Sequence, residues 1–157
     1  MNIKNLYIAY TFQRDAFKWL NKKEMIYNYN NAPMTIEFLN KSGEYYIKRW
    51  YYKNGNIDFE IPYKNDKPHG LTKSHYEDGN IEYEISYENG KEHGLEKRYY
   101  KNGNIWYETS YKNGLTHGLK KRYYKNGNIS YKAPYKNGLK HGPERSYHID
   151  GSLNYEH

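Results

Sequence analysis

Stacked in blocks of 24, the chain aligns with itself from residue 48 onward without a gap. Residues 48–71 read KRWYYKNGNIDFEIPYKNDKPHGL, and TKSHYEDGNIEYEISYENGKEHGL, EKRYYKNGNIWYETSYKNGLTHGL and KKRYYKNGNISYKAPYKNGLKHGP follow, before a shorter ERSYHIDGSLNYEH. A fixed period of this length constrains the fold more than composition does. Each unit must be one supersecondary element that buries its apolar side on its neighbours.

Inside each unit, Asn-Gly or Asp-Gly at 54–55, 78–79, 102–103, 126–127 and 150–151 is followed by strict alternation, as in Ile57, Phe59, Ile61 and Tyr63 against Asn56, Asp58, Glu60 and Pro62. Period two is strand, and these dipeptides suit two-residue turns with positive φ at both positions. Two-residue turns there predict cross-strand partners. Tyr52, Tyr76, Tyr100 and Tyr124 face Ile57, Ile81, Ile105 and Ile129, while Arg49, Lys73, Lys97 and Arg145 meet Glu60, Glu84, Glu108 and Glu156. The same register sets Gly70, Gly94 and Gly118 opposite Tyr87, Tyr111 and Tyr135, where a ring can lie over the glycine.

The expected fold is all-β: an elongated single-layer antiparallel sheet of tandem hairpins, with a tyrosine-rich face and a charged face. Its 48–157 array is preceded by a 1–47 cap, in which 15–27 has a short helical pattern at Phe17, Leu20 and Tyr27, broken at Glu24. Segments 34–39 and 44–50 read as a degenerate hairpin around NKSG, covering the open edge of the first repeat. With 36% hydrophobic residues and a mean hydropathy of −1.26, no thick globular core is expected, and 22 tyrosines take its place.

The motif YKNGLTHGL at 111–119, with its counterparts YENGKEHGL and YKNGLKHG, resembles the core of the MORN repeat, in which an aromatic precedes a glycine turn and then His-Gly. The adjoining YYKNGNI is similar to the bacterial and giant-virus variant of that repeat, including the antitoxin-like family found beside polymorphic toxins. The resemblance spans 48–157 and implies a grooved sheet that serves as a scaffold, with roles at membranes, in assemblies or in toxin neutralisation. Asp66 in place of the turn glycine and Pro143 in place of leucine make both ends of the array atypical.

Catalytic constellations are not expected. The recurring His69, His93, His117 and His141 would stand roughly 9–10 Å apart in successive hairpins, too far to share one metal ion. Their rings are expected to organise turn backbone, a pH-sensing ladder being the other reading. Glu60, Glu84, Glu108 and Glu156 each have a cationic partner in the predicted register, which argues against paired-carboxylate hydrolysis. Neither a cofactor nor a metal site is expected, and the absence of cysteine excludes disulfides. No apolar run reaches the ~20 residues of a membrane span or forms a signal-peptide core, so an intracellular, cytoplasmic protein is expected.

Charge is unevenly spread over the chain. Residues 109–143 contain no acid, and Lys112, Lys120, Lys121, Arg122, Lys125, Lys132, Lys136 and Lys140 contribute +8 of a net +7. Lys132 stands where the other units carry glutamate, so Lys121 faces a like charge unless an anion sits nearby. Tyr99, Trp106 and Tyr123 are expected on the same face as the charged pairs, as interface anchors. Together these residues mark a partner-binding surface on a non-enzymatic module whose partner is another protein. Anionic lipid is the alternative, pairing of two sheets a further one, and nucleic acid is disfavoured because lysine outnumbers arginine and no reading motif is present.

Overall fold

The computed structural model describes residues 23–27, 33–39 and 42–157. Among these, fifteen strands form one open antiparallel sheet and no helix occurs. They are β1 (Lys23–Tyr27), β2 (Pro33–Phe38), β3 (Tyr45–Tyr51), β4 (Ile57–Lys64), β5 (Lys67–Pro68), β6 (Gly70–His75), β7 (Ile81–Glu88), β8 (Lys91–Tyr99), β9 (Ile105–Lys112), β10 (Leu115–Thr116), β11 (Gly118–Tyr123), β12 (Ile129–Lys136), β13 (Leu139–Lys140), β14 (Arg145–Tyr147) and β15 (Leu153–Glu156). Neighbours in sequence are neighbours in the sheet, so the array is a meander.

The expected helix at 15–27 is corrected over its last five residues. Lys23–Tyr27 is a strand that pairs with Pro33–Phe38, as in Met25 opposite Thr35, and 15–22 lies outside the described residues. A short helical stripe interrupted at Glu24 competes poorly with a sheet edge whose unpaired N–H and C=O groups accept another strand. Pro33–Phe38 in turn pairs with Tyr45–Tyr51.

Each unit makes two different turns from similar dipeptides, and the two-residue turn expected at the first of them is corrected. At Asn54-Gly55 only the glycine has positive φ (89°); Gly55 N–H donates to the Tyr52 carbonyl at 3.0 Å, and Tyr52 N–H to Asn56 at 2.8 Å. This is a three-residue loop closed by a bulge. The register therefore slips by one. Tyr51, His75, Tyr99 and Tyr123, rather than the tyrosines that follow, stand opposite Ile57, Ile81, Ile105 and Ile129. The two-residue turn with both φ positive lies in the second loop, at Asn89-Gly90 (51°, 83°) and its equivalents, including Asn65-Asp66 (50°, 61°). There the Tyr46 hydroxyl donates to the Asp66 carboxylate at 2.9 Å across the face of the sheet.

His-Gly follows that turn as a second irregularity. From Pro68 to Lys73 there are five steps, against three between their partners Tyr63 and Glu60, so two residues are extruded around His69-Gly70. The predicted pairs Gly70–Tyr87, Gly94–Tyr111 and Gly118–Tyr135 do form. What crowds the glycine is the preceding strand, however: a Cβ on Gly142 would lie 3.0 Å from Pro134 Cγ, and one on Gly70 3.1 Å from Pro62 Cγ. With φ at 125° and 112°, both positions disfavour any side chain on two counts.

The core is a midline rather than a layer. Thr72, Ile85, Glu96 and Thr109 are successive cross-strand partners, and Lys120 pairs with Ala133 further along; all but Lys120 are buried. Ile85, Thr109 and Ala133 each sit between two tyrosines of the same face, at 83/87, 107/111 and 131/135. The rings are half-buried and roof over these smaller residues. Among the described tyrosines only Tyr46, at 2% exposure, is itself interior.

Successive repeats are stitched together by side chains that reach forward. The hydroxyls of Tyr52, Tyr76, Tyr100 and Tyr124 donate to the carbonyls of His75, Tyr99, Tyr123 and Tyr147 at 2.6, 2.6, 2.9 and 2.8 Å. Asn56, Asn104 and Asn128 amides donate to the carbonyls of Glu77, Lys125 and Ile149 at 2.8, 2.8 and 2.9 Å. In the last unit these two positions hold His148 and Ser152, and what remains is the bond inside the loop that all units share, from Ser152 N–H to Asp150 at 2.9 Å as from Asn56 N–H to Asn54.

Candidate functional site

Alternation places one charged row across the middle of one face. In sheet order it runs Arg49, Glu60, Lys73, Glu84, Lys97, Glu108, Lys121, Lys132, Arg145, Glu156, each residue standing opposite the next. The signs alternate until Lys132. Every other interior member has an opposite charge on at least one side, whereas Lys132 lies between Lys121 and Arg145.

The row is closed locally by short contacts. Arg49 Nε lies 2.5 Å from Glu60, Lys121 Nζ 2.5 Å from Glu108, and Arg145 contacts both oxygens of Glu156 at 2.8 Å. Partial burial alone would raise the Glu108 carboxyl, but the bonds from Lys121 and Tyr123 outweigh it and hold the group below its ordinary range. Glu84 accepts from the Tyr99 hydroxyl at 2.7 Å; burial and that carboxylate push the phenol up to about 12. The anion expected near Lys121 is therefore Glu108, on the strand opposite to Lys132. The lysine left with cations on both sides is Lys132, whose ammonium lies 5.2 Å from the Tyr147 ring centroid.

Beside this row runs a stripe that the sequence reading did not single out. Leu71, Leu95 and Leu119 follow the first three His-Gly pairs and lie two residues before Lys73, Lys97 and Lys121, hence on the same face. They are 40%, 41% and 40% exposed, large values for leucines that recur in register. Their cross-strand partners are Ser86, Ser110 and Pro134. The period of the leucines was visible in the sequence; their exposure depended on which way the bulge turned the strand.

The opposite face threads cations between tyrosine rings. Lys48 Nζ lies 4.8 Å from Tyr63 and 5.7 Å from Tyr46, Arg98 5.7 Å from both Tyr83 and Tyr107, and Lys120 5.5 and 5.6 Å from Tyr107 and Tyr135. Burial lowers the Lys48 ammonium, opposed by Asp66. Glu96, 3% exposed, is bound by Arg98 Nε at 2.6 Å. Glu144 accepts from Tyr131 at 2.9 Å, from Tyr155 at 3.0 Å and from Lys140, and these donors bring its carboxyl down to about 2. The carboxylates Glu96 and Glu144 are thus satisfied on this face, and Lys120 is held between two rings.

The basic residues of the acid-free stretch 109–143 do not converge. Lys121 and Lys132 lie on the charged face, and Lys120 and Arg122 on the tyrosine face, where Arg122 sits 5.6 Å from the Tyr131 ring. Lys125 is at the rim of the three-residue loops. Lys112, Lys136 and Lys140 are at the other rim, where Lys140 is committed to Glu144. Tyr99 and Tyr123 do join the charged row, through Glu84 and Glu108. Trp106 does not: it occupies the register slip, and its ring packs 5.6 Å from Tyr107 and 6.5 Å from Tyr100.

The recurring histidines behave unequally. His69 Nδ1 accepts from Asn89 N–H at 3.4 Å, whereas His93 Nδ1 and His117 Nδ1 are buried without a hydrogen-bond partner, the former 3.5 Å from Glu88. Among the described residues no cluster of metal-ligating side chains occurs, and no helix is long and apolar enough to cross a membrane.

Four stretches, 47–65, 68–89, 92–113 and 116–137, match the profile described as MORN repeat variant, and together they make up more than half of the chain. No curated protein matches, so the expected antitoxin-like and giant-virus likeness has no relative behind it. Two solved structures of TarM, one an S. aureus mutant in complex with fondaparinux, alpha-GlcNAc-glycerol and UDP, are similar at 12% identity and a TM-score of 0.40. They are matched over 84% and 85% of this chain, which spans only 23% of theirs.

Proposed function

The chain belongs to the MORN repeat variant family, whose repeats are typically binding or scaffold modules, and from that premise we propose that it is a non-enzymatic scaffold whose partner is another protein. The observation that carries this reading is the forward ladder of tyrosine hydroxyls and asparagine amides. It holds successive hairpins in one register, so side chains on either face recur roughly every 9–10 Å at fixed positions. A surface ordered before binding loses little conformational entropy when a partner docks. Neutralisation of a toxin and nucleation of an assembly are both ways in which such a surface would be used.

Binding to an anionic membrane draws less support. Lysines near an anionic surface contribute about 1 kcal/mol each only when they reach it together, and the fourth-unit lysines are divided between two faces and two rims. A nuclease-treated pull-down of the tagged protein from its native lysate at ~150 mM salt tests the reading, because exposed electrostatic contacts are largely screened there. One stoichiometric protein is the expected result. Retention by anionic vesicles, lost on neutral ones and without a protein partner, would replace the scaffold reading with the membrane one.

A further inference from the structure

Building on the scaffold reading, we propose that the charged face around Lys132 is the docking surface, and that its occupant is a protein segment presenting apolar side chains and a carboxylate side by side. Two independent features of one face support this. The leucine stripe at 71, 95 and 119 is exposed at 40–41% in three consecutive units. The charge row loses its alternation at one position only, where Lys132 stands between Lys121 and Arg145.

The chemistry of the occupant follows from the neighbouring units. At the equivalent positions Glu60, Glu108 and Glu156 hold carboxylates 2.5–2.8 Å from a cation of an adjacent strand. The row is thus built for a carboxylate at every second place, and at Lys132 the chain supplies a cation instead. Lys121 and Arg145 are in direct contact with Glu108 and Glu156, whereas Lys132 touches no carboxylate: it shares Glu156 with Arg145 only at longer range and lies against the Tyr147 ring. An incoming carboxylate restores the alternation from outside.

The apolar half of the occupant is set by distance. Leu119 precedes Lys121 by two residues, and Pro134 follows Lys132 by two on the facing strand. Same-face neighbours along a strand are roughly 7 Å apart. An extended segment with leucine and glutamate at alternate positions therefore spans from the stripe to the row. The opposite face is a poorer candidate: Glu96 and Glu144 are bound there by Arg98 and Lys140, Lys120 is held between two tyrosine rings and Arg122 lies against a third.

The test is a titration of isotope-labelled full-length protein with a synthetic peptide of repeating Leu-Ser-Glu-Ser, followed by amide chemical shifts. Shifts are expected at 119–121, 132–134 and 145–147. Lys132→Glu is expected to weaken binding about tenfold or more, the loss of roughly one favourable charge contact. Lys53→Glu, the same charge change in the exposed first loop of the array, should leave affinity within about twofold. Leu119→Ser and a Leu-Ser-Lys-Ser peptide should each weaken it severalfold.

Equal weakening by Lys53→Glu and Lys132→Glu would reduce the effect to net charge and overturn the proposal. So would shifts confined to Lys120 and Arg122 on the tyrosine face, or no shifts at all. If a stoichiometric partner from the lysate binds Lys132→Glu protein as well as it binds the parent, the scaffold reading survives and this one does not.

Discussion

The third unit, 96–119, and the fourth, 120–143, have nearly the same backbone and opposite electrostatics. In both, the loop glycine donates to the tyrosine three residues before it, at 2.9 Å, and that tyrosine's hydroxyl reaches the next unit's carbonyl at 2.9 and 2.8 Å. Yet Glu96 becomes Lys120, Glu108 becomes Lys132 and Thr109 becomes Ala133. Turn and ladder positions carry the fold. The central positions of both faces change sign or size without disturbing it, which is how one scaffold acquires different surfaces along its length.

Enlarging the fourth midline is the harshest way to break this equivalence. Ala133 is 0% exposed beneath Tyr131 and Tyr135, so Ala133→Leu should cost about 1–3 kcal/mol by overpacking, read as a lower midpoint in urea unfolding. An unchanged midpoint would mean that the rings swing aside and do not roof the midline.

Extending the run of cations into the third unit comes next. Glu108→Lys removes the contact with Lys121 and sets like charges beside Lys97 and Lys121, at an expected cost of about 1–2 kcal/mol over both neighbours. A loss under a few tenths would show that this row contributes little to stability. The reverse change, Lys132→Glu, restores the third unit's pattern and should stabilise by about 0.5–1 kcal/mol, with the gain shrinking in high salt. Destabilisation by this variant would mean that contact of Lys132 with Tyr147 outweighs its cationic neighbours.

The smallest effect is local and depends on pH. Glu144 at the start of the last unit has its carboxyl brought to about 2 by Lys140, Tyr131 and Tyr155, against 4.5 when free. Because the folded value is the lower one, this contribution is complete above about pH 4.5 and is lost as pH falls through about 2. Carboxyl titration by nuclear magnetic resonance should find Glu144 still ionised at pH 3, with amide protection of 144–147 weakening only below that. Titration near 4.5 would dissolve the Glu144 cluster as a feature of the solution structure.

Much of this was legible in the repeats. The pairs Arg49–Glu60, Lys73–Glu84, Lys97–Glu108 and Arg145–Glu156 follow from alternation and symmetry, and all four stand opposite each other in the sheet. The slip at Tyr51 was not legible, because Asn-Gly suits both a two-residue and a three-residue loop. Nor was the scattering of the fourth-unit lysines into an uncoordinated set: charge counted along a strand adds up, whereas side chains on a strand alternate between faces. The last five residues of the helical pattern before the array depart from it for a related reason, since 23–27 has a stronger option at the sheet edge than its own sequence shows.

The sequence by itself determined the period, the strand class and the partners at the middle of each hairpin, because these depend on alternation and on local turn chemistry repeated every 24 residues. Only the tertiary structure decided which Asn-Gly makes which turn, where the extra residues at His-Gly go, and that the leucines after them face outward. Those choices rest on bonds between units, such as Tyr100 to Tyr123 and Asn104 to Lys125. Such bonds exist only once the neighbouring hairpin is in place to accept them.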